Sequence, residues 1–77
     1  TGEDTLTDIA IHTDAIRLDQ FLKLSGAVAS GGAVKVLLAE QRILRDGVPE
    51  TARRRKLLPG AVITVDGCGT YRVVRAQ

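Results

Sequence analysis

Residues 18–26 read Leu-Asp-Gln-Phe-Leu-Lys-Leu-Ser-Gly, and this stretch decides how the rest of the chain is interpreted. Leu18, Phe21 and Leu22 recur at i, i+3 and i+4, the spacing that places apolar side chains on one face of a helix. Gly26 follows as the residue best suited to end a helix in the left-handed conformation. We therefore predict a short amphipathic helix over residues 18–25.

A second helix is predicted to begin after Ser30, whose hydroxyl is suited to cap the first free N–H groups, and to run to about Gln41. Its inner face would contain Val34, Leu37, Leu38 and Gln41. Lys35, Ala39 and Arg42 fall at i, i+4 and i+7, on a flank that the core does not need. The sequence therefore predicts a basic pair, Lys35 and Arg42, on one exposed side of this helix.

Strand signals lie on both sides of the helices. Residues 6–12 alternate apolar and polar side chains, the pattern of a half-buried strand. Later in the chain, Asp46-Gly47 accepts the positive φ angles of a two-residue hairpin turn, and Pro59-Gly60 fits the centre of a type II turn. β-Branched runs follow at residues 61–65 and 71–75. The order of elements predicts one α+β domain over residues 6–77, preceded by a flexible acidic arm at residues 1–5.

Charge is distributed unevenly along the chain. The net charge is +2 and the sequence pI is about 9.1. Residues 1–15 contain acidic residues and no Lys or Arg, so residues 16–77 carry all 11 basic side chains. A basic body favours a polyanionic partner, although charge alone does not separate nucleic acid from anionic lipid or an acidic protein. The densest run, Arg53-Arg54-Arg55-Lys56, is equally compatible with a solvated loop.

Catalytic and metal chemistry have little support in the composition. Cys68 and His12 are the only residues of their types. They cannot form a disulfide framework, a cysteine-rich zinc site or a complete catalytic triad, so we expect a turn residue and a surface residue. We expect no cofactor, no metal and no enzyme activity.

The sequence has no apolar run long enough to span a bilayer, and we expect a cytoplasmic protein without membrane contact. Gly31-Gly32 could cradle a phosphate at a helix start, or could permit close helix packing.

Several features follow one another in a distinctive order. They are residues 16–23, Gly26, Ser30-Gly31-Gly32, Lys35, Arg45-Asp46-Gly47, Glu50-Thr51, the basic run at 53–56 and Leu58-Pro59-Gly60. Together they resemble the alpha-L RNA-binding domain first described in ribosomal protein S four, and in particular its small stand-alone bacterial branch, the YbcJ-like proteins. The resemblance extends over residues 9–65.

This resemblance implies two helices packed on a small antiparallel sheet, with RNA bound by the second helix and a mobile basic loop at residues 53–56. Two positions depart from the common alpha-L pattern. Gly31 stands where many such domains carry Arg, as in the YbcJ-like branch, so a phosphate contact is lost or passes to backbone amides. Asp46 stands where many carry Asn, and we leave this carboxylate out of the site.

We therefore predict a non-catalytic protein that binds structured RNA, ribosomal or transfer RNA, through phosphate and shape readout. The expected contacts are Lys23, Ser30, Gly31, Gly32, Lys35, Arg42, Arg53, Arg54, Arg55 and Lys56. We expect a monomer that associates with RNA, and the ribosome is a further candidate partner. Two alternatives stay open: a module that docks an acidic protein, and the RNA-binding appendage of an RNA-modifying enzyme. The first residue is Thr1 and not Met, which leaves the second alternative open.

Overall fold

The computed structural model of the protein describes residues 6–76. The predicted acidic arm at residues 1–5 lies outside the described residues, as does Gln77. The elements in chain order are β1 (Leu6–Ile11), β2 (Ile16–Arg17), α1 (Leu18–Ser25), α2 (Gly31–Ala39), β3 (Ile43–Arg45), β4 (Val48–Pro49), β5 (Lys56–Leu57), β6 (Val62–Val65) and β7 (Gly69–Arg75).

The strands form a five-stranded sheet in the order β1-β7-β6-β3-β4 and a two-stranded sheet of β2 and β5. The α+β class is confirmed. The larger sheet is mixed and not wholly antiparallel, because β1 runs parallel to β7 with Leu6 opposite Thr70 and Ile11 opposite Arg75. A parallel pair needs a crossover of a dozen or more residues, and nearly the whole domain lies between these two strands.

The helices cover one face of the larger sheet. Leu18, Phe21 and Leu22 of α1 are fully buried, as the helical spacing predicts. From α2 only Val34 is fully buried, while Leu37 and Leu38 pack against the edge of the core. The remaining core side chains come from the strands and links: Ile11, Val28, Ile43, Leu57, Ile63, Val65 and Val73.

The predicted turns are present. Asp46 and Gly47 have φ angles of 53° and 87°, and they join Arg45 to its cross-strand partner Val48 as a two-residue hairpin turn. At the second turn, the Ala61 N–H donates to the Leu58 carbonyl at 3.0 Å across Pro59-Gly60. His12 and Cys68 are exposed, and Cys68 lies in the turn between β6 and β7, as expected.

The second helix is shorter than predicted. Gln41 has a φ of 57°, and α2 ends at Ala39. The N–H groups of Gln41 and Arg42 donate back to the carbonyls of Leu38 and Leu37, at 3.0 and 2.9 Å. This pair of bonds is the Schellman motif, which satisfies the last carbonyls of a helix and turns the chain away from its axis. The prediction that Gln41 lies on the buried face and that Arg42 extends the flank of Lys35 is therefore wrong.

Ser30 occupies the N-cap position of α2 in an extended conformation, but its hydroxyl makes no capping hydrogen bond. Its backbone carbonyl accepts a hydrogen bond from the Ala33 N–H at 3.2 Å. The predicted position is thus confirmed, and the predicted role of the side chain is wrong. Within residues 6–76, no helix combines the length and the apolar composition needed to cross a membrane.

Candidate nucleic-acid interface

The loop after β4 is organised by one buried acidic side chain. Glu50 is 3% exposed, and its carboxylate accepts four hydrogen bonds. The N–H groups of Thr51 and Ala52 both donate to Oε2 at 2.9 Å. Nε of Arg45 and Nε of Arg55 donate to Oε1 at 2.6 and 3.1 Å. Glu50 therefore fixes the backbone that leads into the basic run and ties one arginine of that run to strand β3.

The ionisation of Glu50 follows from these contacts. Burial by itself would raise the pKa of this carboxyl, because it disfavours the charged form. Hydrogen bonds from the Ala52 N–H, the Arg45 side chain, the Thr51 N–H and the Arg55 side chain outweigh burial and lower the pKa from 4.5 to about 2. The carboxylate is therefore charged throughout the neutral range.

The basic run also caps the first helix through its backbone. The Arg53 and Arg55 carbonyls accept hydrogen bonds from the N–H groups of Asp19 and Leu18, at 3.1 and 2.8 Å. These N–H groups lie at the start of α1 and have no partner within the helix. Together with the pairing of β5 against β2, these bonds hold the backbone of residues 53–56. The resemblance implies a mobile loop, whereas the backbone of Arg53, Arg55 and Lys56 is hydrogen-bonded to neighbouring elements.

A groove between α2 and this loop brings part of the predicted site together. Its volume is about 370 Å³, and its walls are Lys35, Leu38, Ala39, Thr51 and Arg53. We call it the α2 groove. Near the start of α2, the Arg53 guanidinium Nη1 lies 3.9 Å from the position that a Cβ on Gly31 would occupy. Lys35, Arg53 and Gly31 thus share one surface, as the sequence predicts.

Salt bridges divide the cations into two groups. Among the described residues, six arginines have a carboxylate partner within 4 Å: Arg17, Arg42, Arg45, Arg55, Arg72 and Arg75. Within the same residues, no salt bridge engages Lys23, Lys35, Arg53, Arg54 or Lys56. All members of this second group belong to the predicted site. We call them the open cations.

Arg42 lies apart from the α2 groove. Its guanidinium pairs with Glu40 at 3.3 Å and with Asp66 at 3.4 Å, and it lines a separate groove that also contains Cys68. Hydrogen bonding to Glu40, together with the nearby Asp66 charge, raises the pKa of Arg42. The sequence predicts Lys35 and Arg42 on one side of the helix. Because α2 ends before Arg42, the two side chains lie in different grooves.

The other predicted residues occupy different positions. Ser30 and Gly32 are exposed at the start of α2, and Arg54 is exposed in the turn beside Arg53. Lys56 lines a third groove with Arg45 and Asp46. Lys23 is exposed on α1.

Sequence reasoning missed two features of this surface. Glu50 stands in the sequence only as part of the family pattern, and nothing local predicts its burial, because an acidic residue near a basic run usually indicates a solvated loop. The apolar and hydroxyl walls of the groove, Leu38, Ala39 and Thr51, have no signal in the sequence, because they become neighbours only when the loop folds against α2.

Comparisons with known proteins agree with this architecture. A family model described as "S4 domain" matches residues 9–74. A protein of Bacillus subtilis (strain 168) named "Probable ribosome maturation protein RlbA" is 42% identical over 66 residues. That alignment covers 86% of this chain and 93% of the relative.

Proposed function

Because the chain belongs to the S4-domain family, we propose that it is a non-catalytic protein that binds structured RNA through the open cations, of which Lys35 and Arg53 line the α2 groove. Family membership and the name of the Bacillus relative support an RNA-binding role connected with the ribosome. Ribosomal or transfer RNA is the proposed ligand. A cytoplasmic, monomeric protein that acts on or near the ribosome is consistent with this role.

The observation that carries the proposal is the division of the cations. Arg53 and Lys35 have no carboxylate partner among the described residues, and they flank the same groove. A carboxylate beside a cation offsets its positive charge, so that cation attracts a phosphate less strongly. The open cations have no such neighbour among the described residues, and each phosphate that they neutralise releases counterions from the RNA. In this proposal Arg42 and Arg55 mainly contribute to the structure.

The start of α2 adds to the positive surface. Its first turn contains Gly31 and Gly32 and has no acidic side chain. The free N–H groups and the helix dipole at this end favour a negative group. Arg53 beside Gly31 could hold a phosphate through two N–H groups at once, a geometry that Lys does not offer.

The aromatic side chains argue against base stacking as the main mode of binding. Phe21 is fully buried, and Tyr71 is half-buried against the core. Proteins that bind single strands by stacking present exposed aromatic rings to successive bases. We therefore propose that the protein recognises folded RNA mainly through its phosphates and shape.

The first experiment is a binding titration with labelled fragments of ribosomal RNA and with transfer RNA, repeated at increasing salt. With about four phosphates neutralised, affinity should fall by roughly two orders of magnitude between about 50 and about 200 mM salt. Absence of binding, or an affinity that does not change with salt, would remove the proposal. Crosslinking in cells followed by sequencing of the bound RNA would then identify the ligand.

A parallel titration separates this role from docking onto an acidic protein. A folded RNA should displace the labelled fragment, whereas an acidic polypeptide of similar charge should compete poorly, because it lacks the phosphate spacing of an RNA backbone. Better competition by the acidic polypeptide would favour a protein partner.

A further inference from the structure

We propose that the α2 groove holds one unpaired nucleotide of the RNA, with its phosphate between Lys35 and Arg53 and its base and sugar against Leu38 and Ala39. This inference rests on the proposed RNA-binding function and names the element of RNA structure that the groove accepts.

The groove has a charged end and an apolar end. Lys35, Leu38 and Ala39 are spaced at i, i+3 and i+4, so they follow one flank of α2. Arg53 reaches the same flank at Gly31, one turn before Lys35. With a rise of about 1.5 Å per residue, the change from the guanidinium to the apolar wall takes place over about 12 Å. One ligand of nucleotide size can therefore contact both ends.

This combination suits an unpaired nucleotide better than a regular duplex. A duplex presents phosphates and 2′-hydroxyls and keeps its bases stacked inside, so it would contact the cations and leave the apolar wall uncovered. An unpaired nucleotide offers an anionic phosphate joined to a base whose faces are apolar. The groove is open to solvent, and its volume of about 370 Å³ leaves room for one nucleotide.

The opposite wall is fixed before any ligand binds. Thr51 lines the groove from the loop that follows β4, and its N–H donates to the Glu50 carboxylate at 2.9 Å. Its hydroxyl can donate to or accept from a base edge or a 2′-hydroxyl. Because the wall does not have to be ordered on binding, the entropy lost on association is smaller.

The test compares labelled RNA hairpins with and without one bulged nucleotide in the stem. Four bulged versions, one for each base, allow for a base preference, and a fifth has an abasic residue at the bulge. We expect the wild-type protein to bind at least one bulged hairpin about tenfold more tightly than the uninterrupted or abasic hairpin, the factor that corresponds to burying about 60 Å² of apolar surface against Leu38 and Ala39.

Two variants locate this preference. Ala39→Leu fills the apolar end of the groove at an exposed helix position, and it should remove the preference for the bulge while keeping the affinity for the uninterrupted hairpin. Val36→Leu is the matched control, because Val36 is 56% exposed and lines the separate groove that contains Arg42 and Cys68. Thr51→Val, which keeps the shape of the side chain and removes the hydroxyl, should reduce the preference in part. Thermal unfolding of each variant verifies that it is folded.

The outcomes distinguish this inference from the function on which it rests. Equal binding of all the hairpins by the wild-type protein would overturn the nucleotide site and leave RNA binding intact. A preference that survives in Ala39→Leu would also overturn it. If the protein binds neither these hairpins nor the ribosomal and transfer RNA fragments, the proposed function itself fails.

Discussion

At the scale of single residues, Glu50 supports the interface without lining the α2 groove. A buried carboxylate loses its hydrogen bonds to water, and donors from the protein must replace them. For Glu50 these donors are two backbone N–H groups and two guanidinium groups. The same contacts set the path of the loop and hold Arg55, so that Arg53 and Thr51 are directed toward α2.

We predict that Glu50→Gln lowers the free energy of unfolding by about 3 kcal/mol. The neutral amide would accept fewer of the four hydrogen bonds, and a buried donor that is left without an acceptor costs about 1 to 3 kcal/mol. Urea denaturation measures the change. Glu40→Gln is the control, because this side chain is 52% exposed and its pair with Arg42 should contribute less than about 1 kcal/mol. Equal losses in the two variants would contradict this account of Glu50.

The lowered pKa of Glu50 predicts how stability depends on pH. A carboxyl with a pKa of about 2 when folded and 4.5 when unfolded adds stability that is fully present above pH 4.5 and is lost as the pH falls toward 2. The loss should approach about 3 kcal/mol, since each pKa unit corresponds to about 1.4 kcal/mol. Denaturation curves from pH 6 to pH 2.5 should show a steeper fall for the wild-type protein than for Glu50→Gln. Parallel curves would show that other carboxyls dominate.

At the scale of elements, both helices end with the same hydrogen-bond pattern on different residues. After α1, the Gly26 and Ala27 N–H groups donate to the Lys23 and Leu22 carbonyls. Glycine at this position predicts the end of the helix, because it adopts a positive φ without steric cost. After α2 the same position is Gln41, which carries no such signal. The first helix boundary could therefore be predicted and the second could not.

Matched substitutions at these two positions should change stability in opposite directions. Gly26→Ala should lower the free energy of unfolding by about 1 kcal/mol, because φ is 84° there and a Cβ meets no neighbour that could compensate. Gln41→Gly should raise it by up to about 1 kcal/mol, because it relieves the strain of a φ of 57°. Thermal and urea unfolding measure both changes. Destabilisation by Gln41→Gly would mean that the side chain contributes more than the backbone strain costs.

At the scale of the whole molecule, folding separates cations that look equivalent in the sequence. Arg72 pairs with Asp8, 64 residues away, and Arg75 pairs with Asp14, 61 residues away, because β1 lies beside β7. Arg42 reaches Asp66 through the pairing of β3 with β6. The fold class, the first helix, the strands β1, β6 and β7 and the two turns follow from local periodicity and turn chemistry, whereas the two-residue strands β2, β4 and β5 are too short to show a period. The ion pairs follow from long-range strand pairing, which local patterns do not specify.

The most direct test of the account is the salt dependence of RNA binding in two double variants of equal charge change. Lys35→Ala with Arg53→Ala removes two open cations, whereas Arg72→Ala with Arg75→Ala removes two paired ones. We predict that the slope of log affinity against log salt falls by about 2 in the first variant, about 1 for each lost phosphate contact, and stays near the wild-type value in the second. Equal slopes in the two variants would show that net charge, and not the open cations around α2, determines RNA binding.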